Sequence, residues 1–226
     1  MLADKLSKIE YQIQLSLLKS GRKDQVSLIA VSKKQDVRKM LQYELLKKDK
    51  PELVIFGENY VQEFKDKKIN LSPESKCHLI GKLQSNKVKE AVRLFDVIQS
   101  IDSEKLLILI NKEASNLGKI QEIMLQVNVS NDPKKGGMNA NEVFNILAEI
   151  EELKHLKLVG LMTITELYEN PQDSRKDFKN MKKIKDALDD RYQNLELSMG
   201  MSQDFEIAIE EGATMVRIGT ALFGER

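Results

Sequence analysis

The chain has one cysteine, Cys77, so no internal disulfide can form. It has two histidines, and His78 stands beside Cys77 with no second histidine nearby. That falls short of the three or four convergent ligands a divalent transition metal takes, so no metal site is expected. Both residues are expected to pack in the core or between layers. No apolar run approaches the roughly 18 residues that a membrane helix requires. The opening MLADKLSKIEYQIQLSLLKS carries charges throughout, where a secretion signal would have an apolar centre. Net charge is also lacking: 36 Lys and Arg against 35 Asp and Glu leave +1, which offers no overall attraction to nucleic acid or to an acidic membrane. Neither partner is expected, and the expected address is the cytoplasm. No Pro/Gly/Ser-rich linker interrupts the 226 residues, which read as a single domain, 1–226.

A hydrophobic content of 41% and a charged content of 31% are those of an ordinary globular protein. Leu2, Leu6, Ile9, Ile13, Leu17 and Leu18 recur at helical spacing, which predicts an opening amphipathic helix that ends near Gly21. Eight short apolar runs follow: VSLIAV from Val26, LVIF from Leu53, CHLIG from Cys77, VIQSI from Val97, IMLQVNV from Ile123, LKLVGLM from Leu156, LELSMG from Leu195 and TMVRIG from Thr214. Amphipathic stretches such as DVRKMLQYELLKK, SNKVKEAVRLF and NEVFNILAEIEEL separate them. Strands alternating with helices imply parallel pairing through right-handed crossovers, and eight such units close most simply as a (β/α)8 barrel of the TIM type. An open doubly wound sheet is the alternative. The chain is short against the usual ~250 residues, so the loops must be lean.

In a barrel, binding and catalysis sit at the C-terminal ends of the strands. Period-two alternation puts Ile29, Val31 and Lys33 on one face of the first strand; if that face is the interior, Lys33 is the first residue to enter the mouth. Lysine forms Schiff bases with aldehydes when its pKa is lowered from about 10.4, although the same place suits a solvated lysine. Arg217 shares a face with Met215, directed into the barrel or toward a covering helix. Its acceptor is a cofactor ring nitrogen or a buried carboxylate such as Asp102 or Glu58. Asn59 follows the second strand, where it suits a helix cap or a contact to a ligand hydroxyl. Ser85 or Asn86 is expected to cap the next helix. Asn128 interrupts an apolar strand and is expected to reach a partner in the mouth. Lys134 and Lys135, in NDPKKGGM, are expected to be solvent-exposed in a mobile loop.

The most informative stretch is LSMGMSQDFEIAIEEGATMVRIGTALFG. Ser202 is placed to cap a helix starting near Gln203, and Gly219-Thr220 opens a final helix. Two helix starts side by side present free N–H groups and two positive dipole ends, an arrangement suited to phosphate.

LIAVSKK, FGENYVQE, HLIGKLQSNK, QVNVS, GLMTI and this C-terminal stretch, in order over nearly the whole chain, resemble the pyridoxal phosphate homeostasis proteins, the YggS/PROSC family. The resemblance implies the fold type III barrel of the alanine racemase N-terminal domain, holding pyridoxal 5'-phosphate (PLP) as an internal aldimine on Lys33. It further implies Ser202, Gly219 and Thr220 as phosphate ligands, Met201 and Gly200 shaping their turn, Arg217 as partner of the pyridine nitrogen, and Asn59 near the ring. Two departures stand out. Lys34, Gln35 and Asp36 replace the Thr and Pro with which many relatives continue the lysine strand, and Cys77 stands where Trp is frequent.

An arginine at the pyridine nitrogen keeps that nitrogen unprotonated and the ring a poor electron sink. The second base of alanine racemase, a tyrosine from an additional domain, has no counterpart before the chain ends at Arg226. The expected function is therefore PLP storage, delivery or buffering without turnover, in a monomer rather than a dimer, with apo PLP-dependent enzymes as recipients. The alternatives are a weak amino-acid racemase with Lys33 as its base, and a sugar-phosphate enzyme with an aldolase-type lysine.

Overall fold

A computed structural model describes residues 1–130, 132 and 135–225. After an N-terminal helix α1 (Leu2–Lys19), eight strands follow in sequence: β1 (Ser27–Val31), β2 (Ile55–Glu58), β3 (Lys76–Leu79), β4 (Val97–Ile101), β5 (Gln121–Gln126), β6 (Leu156–Met162), β7 (Glu196–Met201) and β8 (Met215–Ile218). Each pairs in parallel with the next, and β8 returns to β1 through Ser27↔Met215 to Ala30↔Ile218, which closes the barrel. Between them lie α2 (Val37–Leu46), α3 (Val61–Lys68), α4 (Val88–Leu94), α5 (Glu104–Asn116), α6 (Ala140–Glu152), α7 (Arg175–Asp186) and α8 (Phe205–Glu210), with a closing turn α9 (Thr220–Phe223). The barrel, not the open sheet, is the architecture. None of the described helices is long and apolar enough to cross a membrane.

Alternation along the strands divides the buried residues into two layers. Leu28, Ala30, Phe56, Cys77, Leu79, Ile98, Leu197, Val216 and Ile218 face the helices, where Phe64, Phe95, Met40 and Tyr43 complete the main core. Tyr43 packs edge-on against Phe56 with ring centroids 5.7 Å apart. Val97, Met124, Met162 and Met215 fill the barrel itself. Cys77 lies in the helix-facing layer, where burial pushes its thiol well above the usual range.

Helix α1 buries Leu6, Ile9, Ile13 and Leu17. Leu18, expected on the same face, is 77% exposed. Adjacent residues are about 100° apart around a helix, so Leu17 and Leu18 cannot both point inward once the stripe runs through Ile13.

The exit of β1 is fixed by a buried ionic cluster. Lys67 on α3 donates to Ser32 O at 2.8 Å, Glu58 Oε1 at 2.9 Å and Glu63 Oε1 at 2.5 Å. Ser32 adds its hydroxyl to Glu58 Oε1 at 2.8 Å, and the Lys34 N–H reaches Glu63 Oε1 at 2.5 Å. Glu58 therefore serves Lys67, not Arg217. Lys34 adopts φ +56°, a left-handed conformation uncommon outside glycine, and this turns the chain immediately after Lys33.

Removing one member of a buried ion pair strands the other, at a cost of about 3–5 kcal/mol. Lys67→Met should lose that much in urea unfolding at neutral pH, whereas Lys65→Met, whose side chain is 55% exposed, should lose under about 1 kcal/mol. Burial already holds the Glu58 carboxyl above the usual carboxylate range, and loss of Lys67 raises it further. A carboxyl raised in the folded state stabilises in its protonated form and loses that contribution as pH rises, so the Lys67→Met deficit should shrink on acidification.

Candidate functional site

The C-terminal ends of β1, β2, β7 and β8 open onto a cavity of about 350 Å³. Lys33, Asn59, Met201, Ser202, Arg217, Gly219 and Thr220 all line it. Residues from three distant parts of the chain thus meet in a space at the small end of ordinary ligand pockets.

Lys33 lines the cavity beside Val31, as alternation along β1 requires, whereas Lys34 is exposed and is not part of the wall. The difference follows from the left-handed turn and from the Glu63 carboxylate that holds the Lys34 N–H.

Arg217 points into the barrel, not toward a helix. It is 3% exposed, and its partners are neither Asp102 nor Glu58. Nη1 donates to Ser198 O at 2.7 Å and to Ser198 Oγ at 2.9 Å, and Nη2 donates to Thr163 O at 2.6 Å. Burial pushes the guanidinium down to about 10, against the nearby negative charge of Asp204, so it remains a cation at neutral pH.

Ser202 is not a helix cap. Helix α8 starts at Phe205 with Asp204 at its cap position, and Ser202 and Gln203 form the preceding turn. The Asp204 carboxylate holds that turn, accepting from the Met201 N–H at 2.7 Å and the Thr165 hydroxyl at 3.4 Å. This leaves the Ser202 side chain to the cavity it lines. Asp204 is buried and its carboxyl is held above the usual range by burial, opposed by the Met201 N–H and the Arg217 charge. Gly200 has φ +91°, and a Cβ there would meet Ala208 Cβ at 2.6 Å, so the close approach of β7 to α8 requires glycine. The final turn begins as expected, with Gly219 before Thr220; the Leu222 and Phe223 N–H groups return to Gly219 O, and those of Thr220 and Ala221 gain no acceptor within the turn itself.

Asn59 is not a cap either, since α3 is preceded by Tyr60 with no side-chain cap. Its Oδ1 is buried without a protein partner, an acceptor left over in the wall of the cavity. Ser85 and Asn86 lie within a short 3-10 turn and cap nothing; Lys87 precedes α4. Asn128 does not reach into the mouth. Its Nδ2 donates to Asp132 O at 2.8 Å and Lys135 O at 3.2 Å, folding its own loop. Lys135 is half-buried and donates to Thr165 O at 2.6 Å, a correction to its expected exposure; Lys134 lies outside the described residues. Asp204, Thr165 and Tyr168 escape sequence reasoning: the first two act through contacts far apart in sequence, and Tyr168 lines the cavity from a strandless segment, its hydroxyl on Asp177 at 2.8 Å.

Behind Asn59 there is no spare room. A Cβ on Gly81 would lie 2.3 Å from Asn59 O and 2.6 Å from Asn59 Cα. Backbone cannot swing aside like a side chain, so Gly81→Ala should cost about 1–3 kcal/mol in denaturant unfolding and displace Asn59.

The model of the alanine racemase N-terminal domain family matches residues 6–226. A pyridoxal phosphate homeostasis protein of Aquifex aeolicus is 43% identical over 177 residues, spanning 77% of this chain and 78% of that protein. One of Schizosaccharomyces pombe is 36% identical over 227 residues, spanning 98% and 91%. The solved structure of PipY from Synechococcus elongatus matches with a TM-score of 0.87 at 34% identity without PLP, and 0.84 at 33% with PLP bound. Both alignments cover 99% of this chain and 100% of that one. The chain belongs to the pyridoxal phosphate homeostasis proteins, a family built on the barrel of the alanine racemase N-terminal domain.

Proposed function

We propose that the cavity at the barrel mouth binds pyridoxal 5'-phosphate and that the protein is a cytoplasmic, monomeric store for it, delivering it to apo PLP-dependent enzymes without turnover of its own. The observation that carries this reading is the convergence of one amine, one guanidinium and two hydroxyl-bearing turns on a single cavity. PLP offers a counterpart for each: an aldehyde, an aromatic ring nitrogen and a phosphate dianion. The residues fit it on their own chemistry. The Asn59 carbonyl is an unspent acceptor, and Arg217 has five N–H donors of which its protein partners take three.

Ser202 and Thr220 supply hydroxyls, and the turns that carry them supply N–H groups, for the phosphate; such bonds to a dianion are charge-assisted. Gly219, with Val31 Cβ only 3.4 Å from where its own Cβ would be, and Met201 shape that end of the cavity. Lys33 supplies the amine for covalent attachment. When bound, PLP brings an electrophilic carbonyl and a ring that withdraws electrons strongly only when its nitrogen is protonated. Arg217 can only donate to that nitrogen and holds its own protons, so it does not protonate the ring. This favours retention over carbanion chemistry and weighs against the racemase reading.

The purified protein should take up PLP with a visible absorption band, which a sugar phosphate would not produce. Borohydride reduction followed by peptide mass mapping should place the pyridoxyl group on Lys33, and finding it on Lys34 would overturn the assignment. Ser202→Ala with Thr220→Val should weaken PLP retention at least about tenfold, some 1.4 kcal/mol or more, exceeding the effect of Lys33→Ala on noncovalent retention. Amino acids incubated with the loaded protein in deuterated water should show no exchange of the α-proton above a blank. Sustained exchange would establish the racemase reading instead.

A further inference from the structure

Four polar side chains with almost no access to water form a line across the barrel interior. His78 on β3 and Gln99 on β4 are joined by a hydrogen bond of 2.8 Å between Gln99 Nε2 and His78 Nδ1. The Ser198 hydroxyl on β7 donates to Gln99 Oε1 at 2.7 Å. Ser198 Oγ in turn accepts from Arg217 Nη1 on β8 at 2.9 Å. Relative exposure is 2% for His78, 0% for Gln99 and Ser198, and 3% for Arg217, so no solvent substitutes for a missing partner.

The direction of each bond follows from the cation at one end. A guanidinium has donors only, so Ser198 Oγ receives from it; the hydroxyl keeps one proton to give, and that proton goes to Gln99 Oε1. The Gln99 amide then presents its NH2 group to His78, and Nδ1 must be the bare nitrogen with the ring proton on Nε2. Burial pushes His78 down to about 3, which agrees with a neutral ring. Turning the Gln99 amide would put its NH2 group on Ser198 Oγ, take away the acceptor of the Ser198 proton in a dry interior, and require the His78 proton on Nδ1.

We infer that Gln99, with His78 behind it, is a positioning residue for Arg217: the line fixes Ser198 and through it the guanidinium, so that the unspent N–H donors of Arg217 are held toward the cavity. The inference rests on the reading of that cavity as a PLP site in which Arg217 meets the ring nitrogen. Gln99 and Ser198 touch no ligand in this scheme and act only through Arg217. Sequence inspection passes over them, because a single polar residue inside an apolar strand gives no sign of its partner on a strand distant in sequence.

The first test is nitrogen NMR of the unliganded wild-type protein at neutral pH, which needs no mutant to fold. The chain has two histidines. His78 should be the Nε2–H tautomer. His155, whose Nδ1 lies 3.3 Å from the Lys119 carbonyl oxygen, should carry its proton on Nδ1 and so serve as the internal reference. A proton on His78 Nδ1 would overturn the inference, since the Gln99 amide would then be turned and the line would not start at Arg217.

The second test compares Gln99→Leu, Ser198→Ala and Ser198→Thr by PLP titration and by the absorption maximum of the bound cofactor. The first two should shift the maximum and weaken retention about tenfold, the scale of one misplaced hydrogen-bond donor. Ser198→Thr keeps the hydroxyl and should stay near wild type. Cys77→Ala, buried on the helix-facing side of β3, controls for loss of stability alone and should leave the maximum unmoved. If Arg217→Leu perturbs the cofactor while Gln99→Leu and Ser198→Ala behave like Cys77→Ala, the positioning role is wrong and the PLP site stands. If wild-type protein takes up no PLP, or Arg217→Leu matches wild type, the reading of the cavity falls and the inference falls with it.

Discussion

The organisation of the barrel mouth depends on one buried cation without a carboxylate in contact. Moving a guanidinium out of water is costly unless its donors are met. Arg217 meets that requirement with two backbone carbonyls and a hydroxyl, from Thr163 and Ser198. Those acceptors lie just past the end of β6 and on β7, so the side chain of β8 cross-links three successive elements of the barrel wall. Carbonyl dipoles satisfy hydrogen bonds without cancelling the charge. Asp204 supplies the nearest opposing charge, and its own carboxyl is partly committed to the Met201 N–H. The guanidinium charge is therefore offset from nearby and not neutralised by a carboxylate in contact.

The turn after β7 shows how the same constraint shapes the neighbouring part of the cavity wall. A serine at the cap of α8 would have spent its oxygen on the helix, as the spacing of Ser202 ahead of an apolar run suggests. Asp204 takes the cap position and directs its carboxylate backward to Met201, which leaves Ser202 in the wall of the cavity. A buried carboxylate in the cavity wall is tolerated because of its partners. Its charge is engaged by an N–H and a hydroxyl and is opposed by Arg217, and burial favours its neutral form.

Much of this was legible from periodicity. Apolar runs separated by amphipathic stretches located all eight strands within a few residues, and alternation along β1 correctly put Lys33 in line with Ile29 and Val31. The residues named for the site do meet, because loops at one end of a parallel barrel are necessarily neighbours. What periodicity missed depends on contacts between distant segments. Leu18 lost its place to Leu17, Asn128 turned back to its own loop, and Lys135 found the Thr165 carbonyl 30 residues away. Local capping rules failed at Ser85, Asn86 and Ser202 for a related reason: each lies in a tight turn that ends before the α-helix begins.

Among the described residues the two buried side-chain cations are Lys67 and Arg217, and they differ in how many donors each leaves over. An ammonium has three protons, and Lys67 places them on Ser32 O, Glu58 and Glu63. Two carboxylates on one lysine leave it neither charge nor donor to offer, and its work is to hold the end of β1 and so aim Lys33. A guanidinium has five N–H groups in a rigid fork, three of which serve to hold Arg217 in the wall. The remainder cannot be retracted without breaking the bonds that fix the fork, so they form a preorganised donor site. A lysine in place of Arg217 would have only three donors, and the Thr163 carbonyl with the Ser198 carbonyl and hydroxyl would take all of them.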